Sequence, residues 1–236
     1  MARDSGGSGL SLTPSWVGLP APCLMVVTDR AQCGGAEGLV AAVEAAVSGG
    51  ADAVQLREKD LPDSELSTLA RRLREVTQGR SLLLVNGPLT VALDAGADGV
   101  HLPEGLPAGR HGEPMSLRPS EGFLVGRSVH SVEAARRAEA EGADYLIAGP
   151  VYETRSHPGV QPTGLALIEE IASVVRVPVL AIGGVTAKRV GEVVRAGAAG
   201  VAVISAVFAS PNPRAASEAL RRTLDSAWAT TGAARR

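Results

Sequence analysis

Several short stretches of this chain set anion-binding or proton-carrying side chains directly after apolar runs. In Gln55-Leu56-Arg57-Glu58-Lys59, extended-chain alternation turns Gln55, Arg57 and Lys59 to one side. Gathering an amide and two cations is expensive unless an anion or carboxylate meets them, so this row reads as a ligand site, with Glu58 available to pair with one of the three. In Gly126-Arg127-Ser128-Val129-His130-Ser131, Ser128 and His130 share one face and Arg127 takes the other. His130 is the candidate catalytic residue, because only imidazole has an unperturbed pKa close enough to neutrality to accept and return a proton. The plainer reading is that His130 packs beside a helix; Ser131 suits the N-cap in either case. Gly183-Gly184, and Ser205 after Ile204, suit a phosphate: glycine lets backbone amides come close to the oxygens, and a helix amino terminus adds positive potential.

Other positions carry weaker signals. Asn86-Gly87-Pro88 is a turn in which Asn86 either caps a helix or faces a ligand. His101, followed by Leu102-Pro103-Glu104, reads as a core residue hydrogen-bonded to backbone. The stretch from Gly149 to Gly159 is a long loop with hydroxyls at Thr154 and Ser156, and its length and hinge residues suggest a lid. Gly164, beyond that loop, and Ile204, beside Ser205, complete the candidate substrate-binding positions. Cys23 and Cys33 form no C-x-x-C pair, and no metal site is expected from them.

The elements that must position these residues recur along the chain. Eight apolar, β-rich runs alternate with amphipathic segments: Cys23–Val27, Ala53–Leu56, Leu82–Val85, Gly99–Leu102, Phe123–Ser128, Tyr145–Ala148, Val179–Ile182 and Gly200–Ile204. Corners beginning at Gly50, Gly96, Gly142 and Gly197 repeat a Gly-Ala lead into an apolar strand, at spacings of roughly 46 to 55 residues, which fits two βα units per repeat. The expected fold is a (β/α)8 TIM barrel, with an open doubly wound sheet as the alternative; a barrel puts function at the strand carboxyl ends, where the unusual residues lie. Domain boundaries follow: a flexible leader over 1–20, one barrel over 21–228, and a loose tail over 229–236.

Composition narrows the partners. A formal charge of −2 offers no field to collect nucleic acid or an anionic membrane surface. With no run suited to a signal peptide or a membrane span, a cytoplasmic location is expected. Oligomeric state does not follow from the residues, and a homo-oligomer is compatible with them.

QLREK, GRSVHS, GADYLIAGPVYET, AIGGVT and GAAGVAVISAVF together resemble the thiamin phosphate synthase superfamily, over a span from about Cys23 to Ser210. Two branches share this barrel and a thiazole phosphate pocket. The synthase branch joins hydroxymethylpyrimidine diphosphate to thiazole phosphate, releases pyrophosphate and uses magnesium. Its Asn-Asp pair reads Asn86-Gly87 here, its second Asp falls near Leu106, and its lid lysine falls at His157. Glu104 is a poor stand-in for two missing acids, since magnesium demands near-octahedral oxygen ligation. The tautomerase branch, typified by TenI, needs no metal, and its motifs find counterparts in Asn86-Gly87, Leu102-Pro103, Gly126–Ser131 and Tyr152-Glu153-Thr154.

The resemblance therefore implies a thiazole tautomerase without a cofactor, converting a dihydrothiazole carboxylate phosphate into its aromatic isomer. His130 would carry the proton, Gly183, Gly184 and Ser205 would hold the phosphate, and Arg57 or Lys59 would meet the carboxylate. The synthase, with magnesium, is the alternative that the Gln55-Arg57-Lys59 row supports. A catalytically silent thiazole phosphate binder is the third reading.

Overall fold

Strands covered on both faces are built mainly from apolar residues, and the eight strands here are of that kind apart from Gln55, His101, Arg127 and Ser128: β1 (Cys23–Val27), β2 (Ala53–Leu56), β3 (Leu82–Val85), β4 (Gly99–Leu102), β5 (Leu124–Val129), β6 (Tyr145–Ala148), β7 (Val179–Ile182) and β8 (Gly200–Val203). The computed structural model describes residues 18–105, 119–154 and 159–234. Each strand pairs in parallel with the next, and β8 returns to β1 with Gly200 opposite Cys23 and Val203 opposite Val26. That closure makes the fold a (β/α)8 TIM barrel and rules out the open sheet. Two strand boundaries shift: β5 begins at Leu124 and runs to Val129, and β8 stops at Val203 because Ile204 turns away at φ −115, ψ −86.

The outer layer contains, among the described residues, α1 (Ala36–Ser48), α2 (Asp63–Thr77), α3 (Leu89–Asp94), α4 (Val132–Ala140), α5 (Gly164–Val174), α6 (Val190–Arg195), α7 (Ser205–Phe208) and α8 (Pro213–Ala234). In α2, Leu66, Leu69, Ala70, Leu73 and Thr77 recur at helical spacing and form the buried stripe. Ser131 caps α4 as expected, its hydroxyl accepting from the Ala134 amide at 3.1 Å. Residues 229–234, expected to be loose, continue α8, where the Thr230 and Thr231 hydroxyls bond back to the Ser226 and Ala227 carbonyls. Residues 1–17 of the expected leader lie outside the described residues, and Leu19 already packs into the core. No helix among the described residues is long and apolar enough to cross a membrane.

The repeated corner does more than turn the chain. Gly50, Gly96, Gly142 and Gly197 all have positive φ. In the first three copies the following aspartate reaches back to the preceding odd strand: Asp52, Asp98 and Asp144 each accept a backbone N–H, from Leu24, Leu83 and Val125, at 2.7 Å. Arg221 and Arg74 pair with Asp52 and Asp98 at 2.6 and 2.7 Å. The fourth copy has Ala199 at this place. These carboxylates satisfy amides at the amino end of the barrel, away from the strand ends that carry function. Asp98→Ala strands both the Leu83 amide and Arg74, so it should destabilise the fold by about 1–3 kcal/mol without altering ligand affinity. Urea denaturation measures this, and an unchanged midpoint would deny the corner its structural role.

Candidate active site

At the carboxyl ends of the strands lies a cavity of about 560 Å³. Gln55, Arg57 and Lys59 all enter its wall, as alternation requires, and so do Asn86, Ser128, His130, Thr154, Gly183, Gly184, Ile204 and Ser205. Asn86 faces this space and is not the cap of α3, whose N-cap is Pro88. Gln55 sits on the floor, 2% exposed, with its amide nitrogen 3.7 Å from Met25 Sδ. Glu58 turns to the β1–α1 connection. Its carboxylate accepts from the Arg30 backbone N–H at 3.1 Å and from Arg30 Nη1 at 3.2 Å, tying the β1–α1 connection to the end of β2. Above the floor, the positive charge of Arg57, and then partial burial, lowers the Lys59 pKa. Two cations that disfavour each other on a cavity wall are relieved by an anion between them.

The two described histidines on the wall differ in kind. His101 is buried, and its ring nitrogens meet Tyr145 Oη at 3.2 Å and Ser128 Oγ at 2.9 Å. Its expected backbone partner is thus replaced by two side chains. Gly126 makes this cluster possible, since a Cβ there would stand 2.1 Å from the Tyr145 ring. Burial, followed by the charges of Arg57 and Arg127, pushes the His101 pKa down to about 3, so this ring stays neutral and orients Ser128. The His130 side chain is 56% exposed, at the cavity mouth, and its Nδ1 lies 2.5 Å from Glu104 Oε2. A carboxylate at Nδ1 favours the tautomer protonated there, which leaves Nε2 as the basic atom. Arg127 points away as alternation predicts, reaching Glu141 at 3.0 Å and the Pro103 carbonyl at 3.2 Å.

Gly183 and Gly184 have φ of +97 and +63, and a Cβ on Gly184 would stand 2.5 Å from the Glu153 carbonyl oxygen. This turn is therefore pressed against the β6–α5 loop as well as open to the cavity. On the neighbouring strand end, the Ser205 and Ala206 amides begin α7 and have no acceptor within that helix. The loop base is stitched down by Thr163, whose amide and hydroxyl both reach the Pro150 carbonyl, at 2.8 and 3.0 Å. Gly164, expected to touch the ligand, is instead part of this stitching: it opens α5 at φ +73, donates to the Val151 carbonyl at 3.1 Å and is not in the cavity wall. Ser156 and His157 lie outside the described residues, as does Leu106.

Two residues were missed by sequence reasoning. Glu104 was legible only as a stand-in metal ligand, and its place against His130 depends on β4 and β5 being neighbours in the barrel. Arg189, just ahead of α6, joins the cavity wall, donates from Nη1 to the Gly184 carbonyl at 2.8 Å, and stacks over Tyr152 with 4.2 Å to the ring centroid. No motif announces it.

The described donors do not fit the magnesium ion of the synthase branch. No group of three acidic, histidine or cysteine side chains among the described residues could hold a metal. Gly87 is outside the cavity wall, and a Cβ on it would meet Leu66 Cδ2 at 3.0 Å, towards α2. Glu104, the remaining acid after β4, is engaged by His130.

Comparison with known proteins identifies the family through the sequence. The family model described as thiamine monophosphate synthase matches residues 24–207. A thiamine-phosphate synthase of Methanoculleus marisnigri is 48% identical over 187 residues, covering 78% of this chain and 87% of that protein. One from Roseiflexus castenholzii is 42% identical over 198 residues, covering 83% and 85%. The solved thiamine phosphate pyrophosphorylase from Pyrococcus furiosus superposes with a TM-score of 0.74 at 35% identity, covering 87% of this chain and 96% of that one. With the barrel, the strand-end cavity and these matches in agreement, the chain belongs to the thiamine monophosphate synthase family.

Proposed function

We propose that this chain acts on a thiazole phosphate in thiamin biosynthesis, and that its step is a metal-independent proton shift, the isomerisation of a dihydrothiazole carboxylate phosphate to the aromatic thiazole. The carrying observation is the His130–Glu104 pair at the cavity mouth, 2.5 Å apart. Such a pair supplies one base with a defined free nitrogen. His130 Nε2 removes a proton from the dihydrothiazole carbon; the ring electrons redistribute; the imidazolium returns the proton at a second ring position. Atoms are conserved and aromatisation drives the step. Gly183, Gly184 and Ser205 hold the phosphate, and Arg57 and Lys59 meet the carboxylate. A cytoplasmic location belongs to the same proposal.

A second reading has specific support. The relatives at 42–48% identity carry the name of the synthase, and the Gln55, Arg57 and Lys59 row suits a diphosphate as well as a carboxylate. On names alone the transferase is favoured; the donor set around Asn86, Gly87 and Glu104 speaks against it. Isomerisation measured without added metal, beside pyrophosphate release measured with magnesium, separates the two enzymes, and binding without either reaction identifies a silent binder.

A further inference from the structure

Arg189 is held in an unusual way for a cation at a cavity wall. Its guanidinium carbon lies over the Tyr152 ring, 4.2 Å from the centroid, and Nη1 donates to the Gly184 carbonyl at 2.8 Å. The Tyr152 hydroxyl is anchored in turn on Glu192 Oε2 at 2.6 Å, so the ring beneath the guanidinium is fixed. Glu192, the acid of α6, receives the tyrosine hydroxyl, and the described contacts of the Arg189 guanidinium are the ring and the Gly184 carbonyl. Its Nη2 and Nε thus keep their donors while two contacts fix the plane of the group.

A planar cation whose orientation is set in advance, with N–H groups unspent, is suited to paired contacts with phosphate oxygens. It stands beside the glycine turn already read as the phosphate cradle. We infer that Arg189 is a further phosphate-binding residue, adding a fixed charge to the amides of Gly183, Gly184 and Ser205. This rests on the reading of the ligand as a phosphate ester. The same side chain braces the loop through Tyr152, so the test separates charge recognition from bracing.

Calorimetric titration of wild type, Arg189→Met and Arg189→Lys with thiazole phosphate and with the unphosphorylated thiazole alcohol makes that separation. Arg189→Met should lose about thirtyfold in affinity for the phosphate ester and keep its affinity for the alcohol, while Arg189→Lys recovers part of the loss. The wild-type affinity for the ester should also fall more steeply with salt than that of Arg189→Met. Ester affinity retained within about threefold in Arg189→Met, or equal losses for ester and alcohol, overturns the inference. If that variant fails to fold, Arg189→Lys decides: ester and alcohol affinities both equal to wild type would leave the fork without a role. Inorganic phosphate serves as the thiazole-free probe. A wild type that binds phosphate through Arg189 but not thiazole phosphate rejects the ligand reading and keeps the arginine; a wild type that binds neither rejects both.

Discussion

His130→Gln should lose at least about a hundredfold in the rate of isomerisation while keeping thiazole phosphate affinity within a few fold. Position and chemistry both lead there. The end of β5 carries the ring to the cavity mouth, Glu104 fixes Nδ1, and Nε2 is the atom left to exchange a proton. Positioned acid–base catalysis is typically worth about 10²- to 10⁴-fold, roughly 3 to 5 kcal/mol of barrier. Glutamine retains hydrogen bonding and removes the base, and the proposed phosphate site lies at other strand ends, those of β7 and β8. Single-turnover rates and calorimetric affinities on the same folded variant check both halves. A fall of less than about tenfold would remove His130 as the shuttle. His101 would be a poor successor, because burial holds its ring neutral and both nitrogens are engaged.

Gly184→Val should weaken thiazole phosphate binding by about a hundredfold and leave the barrel folded. A β-branched residue at φ +63 is strained on its own account, and its Cβ would meet the Glu153 carbonyl oxygen at 2.5 Å and Tyr152 Cβ at 2.8 Å. The added methyls are thus directed at the β6–α5 loop and act on the phosphate by forcing turn and loop apart. Neither side of that contact belongs to the barrel ladder, so the strands need not move. Circular dichroism checks the fold and calorimetry the affinity; equal affinities in two folded proteins would move the phosphate site away from this turn.

The barrel was legible because its signals are local. Apolar runs such as Leu82–Val85 bounded by turns, and a Gly-Ala corner repeated at the quarter-barrel spacing, specify strands and their order without knowledge of contacts. Alternation was enough to send Gln55, Arg57 and Lys59 into the cavity and Arg127 out of it. What could not be read depends on which strand ends become neighbours. Glu104 and His130 are 26 residues apart and meet through β4–β5 pairing; Arg189 and Tyr152 are brought together across β6 and β7. The aspartates of the corners carry no role in the Gly-Ala repeat itself, and one appears only when Leu24, Leu83 and Val125 present amides to them. Gly164 differs from the other candidate positions: it stands outside the cavity wall, and its positive φ serves the start of α5.

The most direct test gives the purified protein each substrate set in turn, with magnesium and with a chelator, and follows thiazole aromatisation and pyrophosphate release together. The proton-shift account predicts that the dihydrothiazole carboxylate phosphate is isomerised equally well under both conditions, and that hydroxymethylpyrimidine diphosphate with thiazole phosphate yields no catalytic release of pyrophosphate. Magnesium-dependent release at about 1 per second or faster, with no isomerisation, would contradict it and identify the synthase.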